Sequence, residues 1–151
     1  MLNEKGEFLN QKEGEAILSI SEQQDIEYVS GREMGTEIFR DHFLENHIQK
    51  ILELPEVDLK AIEAAGFTVV VDGINSVGGI AVPKLLKALN VQRVLKVNCE
   101  PDGEFAHNPE PLPENLTGIT QAVIKNKAAL GLVVVPDVDR LAIVDENGNM
   151  F

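Results

Sequence analysis

Apolar and polar positions change their rhythm near residue 66. Before it, apolar residues recur at helical spacing among many charges. Beyond it, they gather into short runs bounded by glycine, proline, asparagine or aspartate. In Glu13–Ile20, the residues Ala16, Ile17 and Ile20 share a helical face. Over residues 35–52, Phe43, Leu44, His47, Ile48, Ile51 and Leu52 form an apolar stripe that predicts a longer helix. Pro55 interrupts, and residues 56–65 predict a short helix stopped by Gly66. Phe67–Val71, Arg93–Cys99, Leu132–Val135 and Leu141–Val144 are short, mostly β-branched and flanked by breakers, so they read as strands. Between them, Ile80–Leu89 and Leu116–Ala129 predict helices, with Pro83 tolerable only near a first turn.

Strands alternating with helices point to crossover units with parallel strands. The fourth strand returns after only five residues, 136–140, and must run antiparallel. The expected fold class is α/β, a three-layer α/β/α arrangement around a small mixed four-stranded sheet. Three loops would lie at the carboxyl ends of its parallel strands: 72–79, 100–115 and 136–140. Ligands in open α/β sheets sit beyond those ends. Asn147-Gly148 signals a further turn, with another strand expected to begin at Phe151.

Composition narrows the partners. The 151 residues suffice for one domain with a proper core. A net charge of −12 argues against nucleic acid or an anionic membrane as the main partner. The acidity is concentrated in residues 1–58, with 14 Asp/Glu against 5 Lys/Arg; residues 59–151 carry 11 against 8. Residues 1–33 therefore read as a polar connector, and 34–151 as the folded domain. No apolar run is long enough to span a bilayer, and the start lacks the apolar core of a signal peptide. The single cysteine, Cys99, rules out an internal disulfide and fits a reducing, cytoplasmic setting. An inert, half-buried thiol is the expectation for it.

Chemistry concentrates in Pro136-Asp137-Val138-Asp139-Arg140. Two carboxylates two residues apart, at the end of buried strands, are costly unless they pair or hold a cation. They suit magnesium, which takes a few carboxylates and completes its shell with water or phosphate. The plainer alternative is a hairpin whose aspartates cap the turn. The glycine-rich turn at 72–79 follows a strand and opens a helix, where backbone amides can cradle phosphate. It lacks the spacing of either standard phosphate-binding motif, so tight turning and close helix packing explain its glycines as well. Asp72 is read as a holder of loop amides. The proline-rich loop 100–115 is stiff for its length, and long ordered loops are usually functional or interfacial. His107 there is expected to be hydrogen-bonded and structural, and His42 and His47 to lie at the surface. Ser76 lacks the sequence surroundings of a nucleophile, and no Cys/His cluster suggests zinc.

Three segments in fixed order, VVVDGINSVGG, CEPDGEFAHNPEPLPENL and VPDVDRLAIVDENG, resemble the second domain of the α-D-phosphohexomutases, the phosphoglucomutase/phosphomannomutase family. The resemblance covers about residues 50–151, and LNEKGEFLN resembles the tail of that family's first domain. It implies an excised fragment whose missing domains of the same chain carry the phosphoserine and the sugar-binding surfaces. In such enzymes a phosphoserine donates its phosphoryl group to a hexose phosphate and takes one back through a bisphosphorylated sugar. Magnesium sits beside it, held by three aspartates of a D-x-D-x-D-R loop. Carried over, Asp137 and Asp139 match the second and third aspartates, and Arg140 matches the arginine, a phosphate contact. Val135 stands at the position of the first. Valine offers no oxygen, so weak Mg2+ binding and no catalysis by this chain alone are expected. Other readings remain: a non-catalytic sugar-phosphate-binding paralogue, an interaction module with a structural aspartate hairpin, or another phosphotransferase with an aspartate nucleophile. Val135, in the nucleophile's place, counts against the last.

Overall fold

A computed structural model describes residues 1–23 and 26–151. They divide into two compact units, Met1–Phe39 and Arg40–Phe151. The first holds one helix, α1 (Gln11–Gln23), with no buried residue, preceded by a turn closed by a bridge between Leu2 and Phe8. The Asn10 side chain accepts from the Glu13 amide while Glu13 accepts from the Asn10 amide, a reciprocal cap at the helix start.

The second unit contains α2 (Phe43–Leu52), α3 (Leu59–Ala65), β1 (Thr68–Asp72), α4 (Gly78–Ala88), β2 (Arg93–Val97), α5 (Thr117–Asn126), β3 (Leu130–Val134) and β4 (Leu141–Asp145). The sheet order is β2-β1-β3-β4. β2 and β3 run parallel to β1, and β4 runs antiparallel to β3, with Leu130 opposite Asp145 and Val134 opposite Leu141. Period-two alternation sends Val70, Val133, Ala142 and Val144 to one face, packed with Ile119 and Val123 of α5. Val69 and Val71 go to the other, packed with Leu86 of α4. α2 lies against α4, with Ile48 buried. This is the expected α/β architecture with its mixed four-stranded sheet. No helix among the described residues is long and apolar enough to cross a membrane.

Several expected elements differ in extent: α1 is longer than the expected 13–20, α3 begins at Leu59 instead of 56, α5 ends at Asn126 instead of Ala129, β2 ends at Val97 instead of Cys99, and β3 spans Leu130–Val134 instead of Leu132–Val135. The helix expected over 35–52 begins only at Phe43, because Ile38, Phe39 and Phe43 are exposed and no packing rewards winding the preceding residues. α4 starts two residues before the expected Ile80, at Gly78, which places Pro83 inside it. Pro83 has no N–H for the Gly79 carbonyl, a cost offset in part by the burial of its ring. α3 begins where Asp58 caps the amides of Lys60 and Ala61, and ends at Gly66 in the left-handed region. At the chain's end Met150 bridges to Val144, starting the expected return along β4.

Candidate functional site

The three loops expected at the carboxyl ends of β1, β2 and β3 are tied to one another. Asp72, the last residue of β1, is 1% exposed. Its Oδ1 accepts from the Ile74 amide at 3.0 Å, and the Asn98 side-chain amide donates to both oxygens at 3.2 Å. His107 Nε2 meets Asp72 Oδ2 at 3.1 Å, while Nδ1 meets the Asn108 carbonyl at 2.8 Å. A buried carboxylate needs such partners to be tolerated. The structural roles expected of Asp72 and His107 are the ones they take here.

Further ties complete the crown. The Asn75 side chain donates to the Glu104 carbonyl at 3.0 Å, and the Asn75 amide to the Asn98 carbonyl at 2.6 Å. Ser76 Oγ donates to the Pro136 carbonyl at 3.1 Å, so its hydroxyl holds the third loop. The glycines of the first loop permit close backbone approach. A Cβ on Gly73 would collide with the Gly79 amide nitrogen, and one on Gly79 would lie 2.6 Å from Cys99 Cα. Cys99 Sγ contacts the Val71 and Val97 carbonyls, and burial, with the negative charge of Asp72, pushes its thiol above the ordinary pKa against the opposing backbone bonds at Gly73 and Val97. His42 and His47 are exposed, as expected.

The loop between β3 and β4 carries the charged residues. The Val135 amide donates to the Arg140 carbonyl at 3.3 Å and the Val138 amide to the Val135 carbonyl at 2.9 Å, closing a tight turn. Val138 sits at φ 60°, a left-handed conformation strained for a β-branched residue. Asp137, Asp139 and Arg140 are exposed on this turn, whereas Val135 is 2% exposed. Glu110 of the second loop accepts from Arg140 Nη1 at 3.0 Å and from Nη2 at 3.3 Å, and Asp139 lies 3.7 Å from Arg140 Nε. The Glu110 carboxylate, with Asp139 and Asp137 adding to it, raises the guanidinium above its already high value. Sequence reading passed over Glu110. Its signal, an acid between two prolines, marks no partner until the fold supplies one.

Among the described residues, no group of three or more His, Cys, Asp or Glu side chains comes together as a cation site. The donors on the loop are the two carboxylates of Asp137 and Asp139, and the Val135 side chain ahead of them is buried hydrocarbon. That set fits a magnesium ion that draws most of its shell from water and phosphate, and not one enclosed by protein ligands alone.

Such a crown, with a doubly acidic, arginine-bearing turn beyond the parallel strands, defines an α/β domain whose loops gather at the carboxyl end of its sheet. Residues 45–148 match the family model described as phosphoglucomutase/phosphomannomutase, alpha/beta/alpha domain II, and the chain belongs to that family. It is similar to the phosphoglucomutase/phosphomannomutase of Thermococcus kodakarensis, 36% identical over 142 residues, which cover 93% of this chain and 30% of the relative. It is also similar to the phosphomannomutase of Methanocaldococcus jannaschii, 42% identical over 103 residues, covering 67% of this chain and 23% of the relative. A crystal structure of a phosphoglucomutase/phosphomannomutase family protein from Burkholderia thailandensis shares the fold, with a TM-score of 0.71 at 23% identity over 95% of this chain and 29% of that one. The chain thus spans about a third or less of the length of the relatives it matches.

Proposed function

We propose that this domain supplies the magnesium-loop half of a phosphohexomutase active site, acting on hexose phosphates in the cytoplasm. The observation that carries the reading is the exposed Asp137-Val138-Asp139-Arg140 turn at the carboxyl end of β3, in a chain of this family. Asp137 and Asp139 would hold the metal. Bound there, magnesium supplies positive charge for the equatorial oxygens of a transferring phosphoryl group. Arg140, held by Glu110 in this structure, would add positive charge near a phosphate and could contact it by exchanging that pair. Glu110, on the proline-rich loop that His107 ties to Asp72, pairs with Arg140 and so links the second loop to this turn. Residues 1–33 are proposed to be the connector from the serine-bearing domain. In-line transfer needs that domain's phosphoserine held against the sugar phosphate, so the 151-residue chain alone carries out no turnover.

Val135 supports a second reading, in which the parent binds sugar phosphate without turnover. Titrating Mg2+ into the chain, Asp137→Asn and Asp139→Asn tests the metal role. Weak, saturable binding lost in either variant is expected, and binding unchanged in both refutes it. Mutase activity of the chain with glucose 1-phosphate would refute its dependence on other domains.

A further inference from the structure

In a chain of net charge −12, residues 73–99 contain four cations, Lys84, Lys87, Arg93 and Lys96, and no acid. Three of the four line one cleft of about 600 Å³ between α4 and β2. Ile80, Pro83, Lys84 and Lys87 come from a single face of α4, at i, i+3, i+4 and i+7; Val94 and Lys96 come from β2. β2 is an edge strand. Arg93 donates its amide to the Phe67 carbonyl and Val97 accepts from the Gly73 amide. In a parallel ladder alternate residues turn both backbone groups to the neighbour, so 93, 95 and 97 face β1. Val94 and Lys96 therefore turn their N–H and C=O groups outward, beside the cleft their side chains line.

The charges around this edge are largely unspent. Lys84 pairs with Glu45 at 3.0 Å, and Glu100 stands at the rim. Among the described residues, no acidic side chain lies within ion-pair distance of Lys87 or Lys96.

We propose that the α4–β2 cleft docks an extended acidic peptide segment of a partner protein, which adds to β2 as a further strand. The outward groups of Val94 and Lys96 supply the main-chain hydrogen bonds, Pro83, Val91 and Val94 supply an apolar floor, and Lys87 and Lys96 receive carboxylates on alternate peptide residues. A lone edge lysine only discourages pairing. Here the lysines rim a concave surface that a strand of opposite charge fills.

The test uses the 151-residue chain and a fluorescent heptapeptide alternating Glu and Val. Saturable anisotropy is expected, weakening with salt, with NMR amide shifts centred on Val94 and Lys96. Lys87→Glu/Lys96→Glu, with folding checked by circular dichroism, should weaken binding about tenfold or more. The same peptide N-methylated at alternate residues leaves the protein untouched and should also bind about tenfold more weakly. Equal binding of the methylated peptide means charge attraction alone and overturns strand addition. No binding, or no effect of the double variant, overturns the site. Val94 and Lys96 shifts that instead track protein concentration give the edge to a second copy and also overturn the proposal.

Discussion

Val135→Asp adds a carboxylate where resemblance to the family loop implies one, and the structure gives its consequence a magnitude. Val135 is 2% exposed, so the new group enters a site without water. Losing the buried valine forfeits about 2 kcal/mol of transfer free energy. The carboxyl escapes desolvation by taking a proton, which at pH 7 costs about 4 kcal/mol because its ordinary pKa is about 3.9. The expected loss is therefore about 6 kcal/mol at pH 7 and about 3.5 kcal/mol at pH 5. The sign follows from linkage: burial raises the folded-state pKa, so the penalty grows as pH climbs above the unfolded value. Magnesium at a hundred times its Kd returns about 2.7 kcal/mol, if the introduced carboxylate joins Asp137 and Asp139 around it. Urea unfolding followed by circular dichroism, at both pH values with and without Mg2+, reads all three quantities. A metal-free variant as stable as the parent at pH 7, or a loss that fails to shrink at pH 5, refutes the buried placement. A midpoint that Mg2+ raises no more in the variant than in the parent refutes Val135 as a ligand position.

Other expectations are more local. Gly79→Ala drives a Cβ toward the Cys99 backbone and should cost about 2–4 kcal/mol in chemical denaturation; a loss below the error of the measurement contradicts that packing. His107→Ala removes one of the three groups that satisfy buried Asp72 and should cost about 1–3 kcal/mol, with His107→Gln recovering part of it. Val138→Gly relieves a left-handed β-branched residue and should raise stability by about 0.5–1 kcal/mol, the strain released outweighing the entropy that glycine adds to the unfolded chain. The Asn149 side chain and amide, with help from Asn147, hold the Asp145 carboxylate below its ordinary pKa. The turn at 145–149 is thus fully supported above the ordinary carboxylate range and loosens as pH falls through the depressed value. The NMR shift of the Asn149 amide should titrate below that range, and an ordinary midpoint would sink this account. Cys99 should react with iodoacetamide slowly at neutral pH and faster only well above it, because burial holds the thiol protonated.

The strands, their succession along the chain and the loop that carries Asp137, Asp139 and Arg140 were all legible in the amino-acid sequence. Short β-branched runs and breakers are local signals, and the return after residues 136–140 admits only an antiparallel partner. The sequence did not reveal that helix formation stops short of residues 35–42. Periodicity marks a stripe but cannot tell whether anything covers it, and here Ile38 and Phe39 stay exposed. Which charges meet was left to the folded chain. His107 and Asp72 lie 35 residues apart, Arg140 and Glu110 lie 30 apart, and Ser76 and Pro136 lie 60 apart, yet each pair is in contact. Parallel strands create those meetings, because they carry successive loops to the same end of the sheet from distant parts of the chain. Burial was settled in the same way: the sequence shows valine at position 135, and only packing shows that an aspartate there must give up water, take a proton or find a metal.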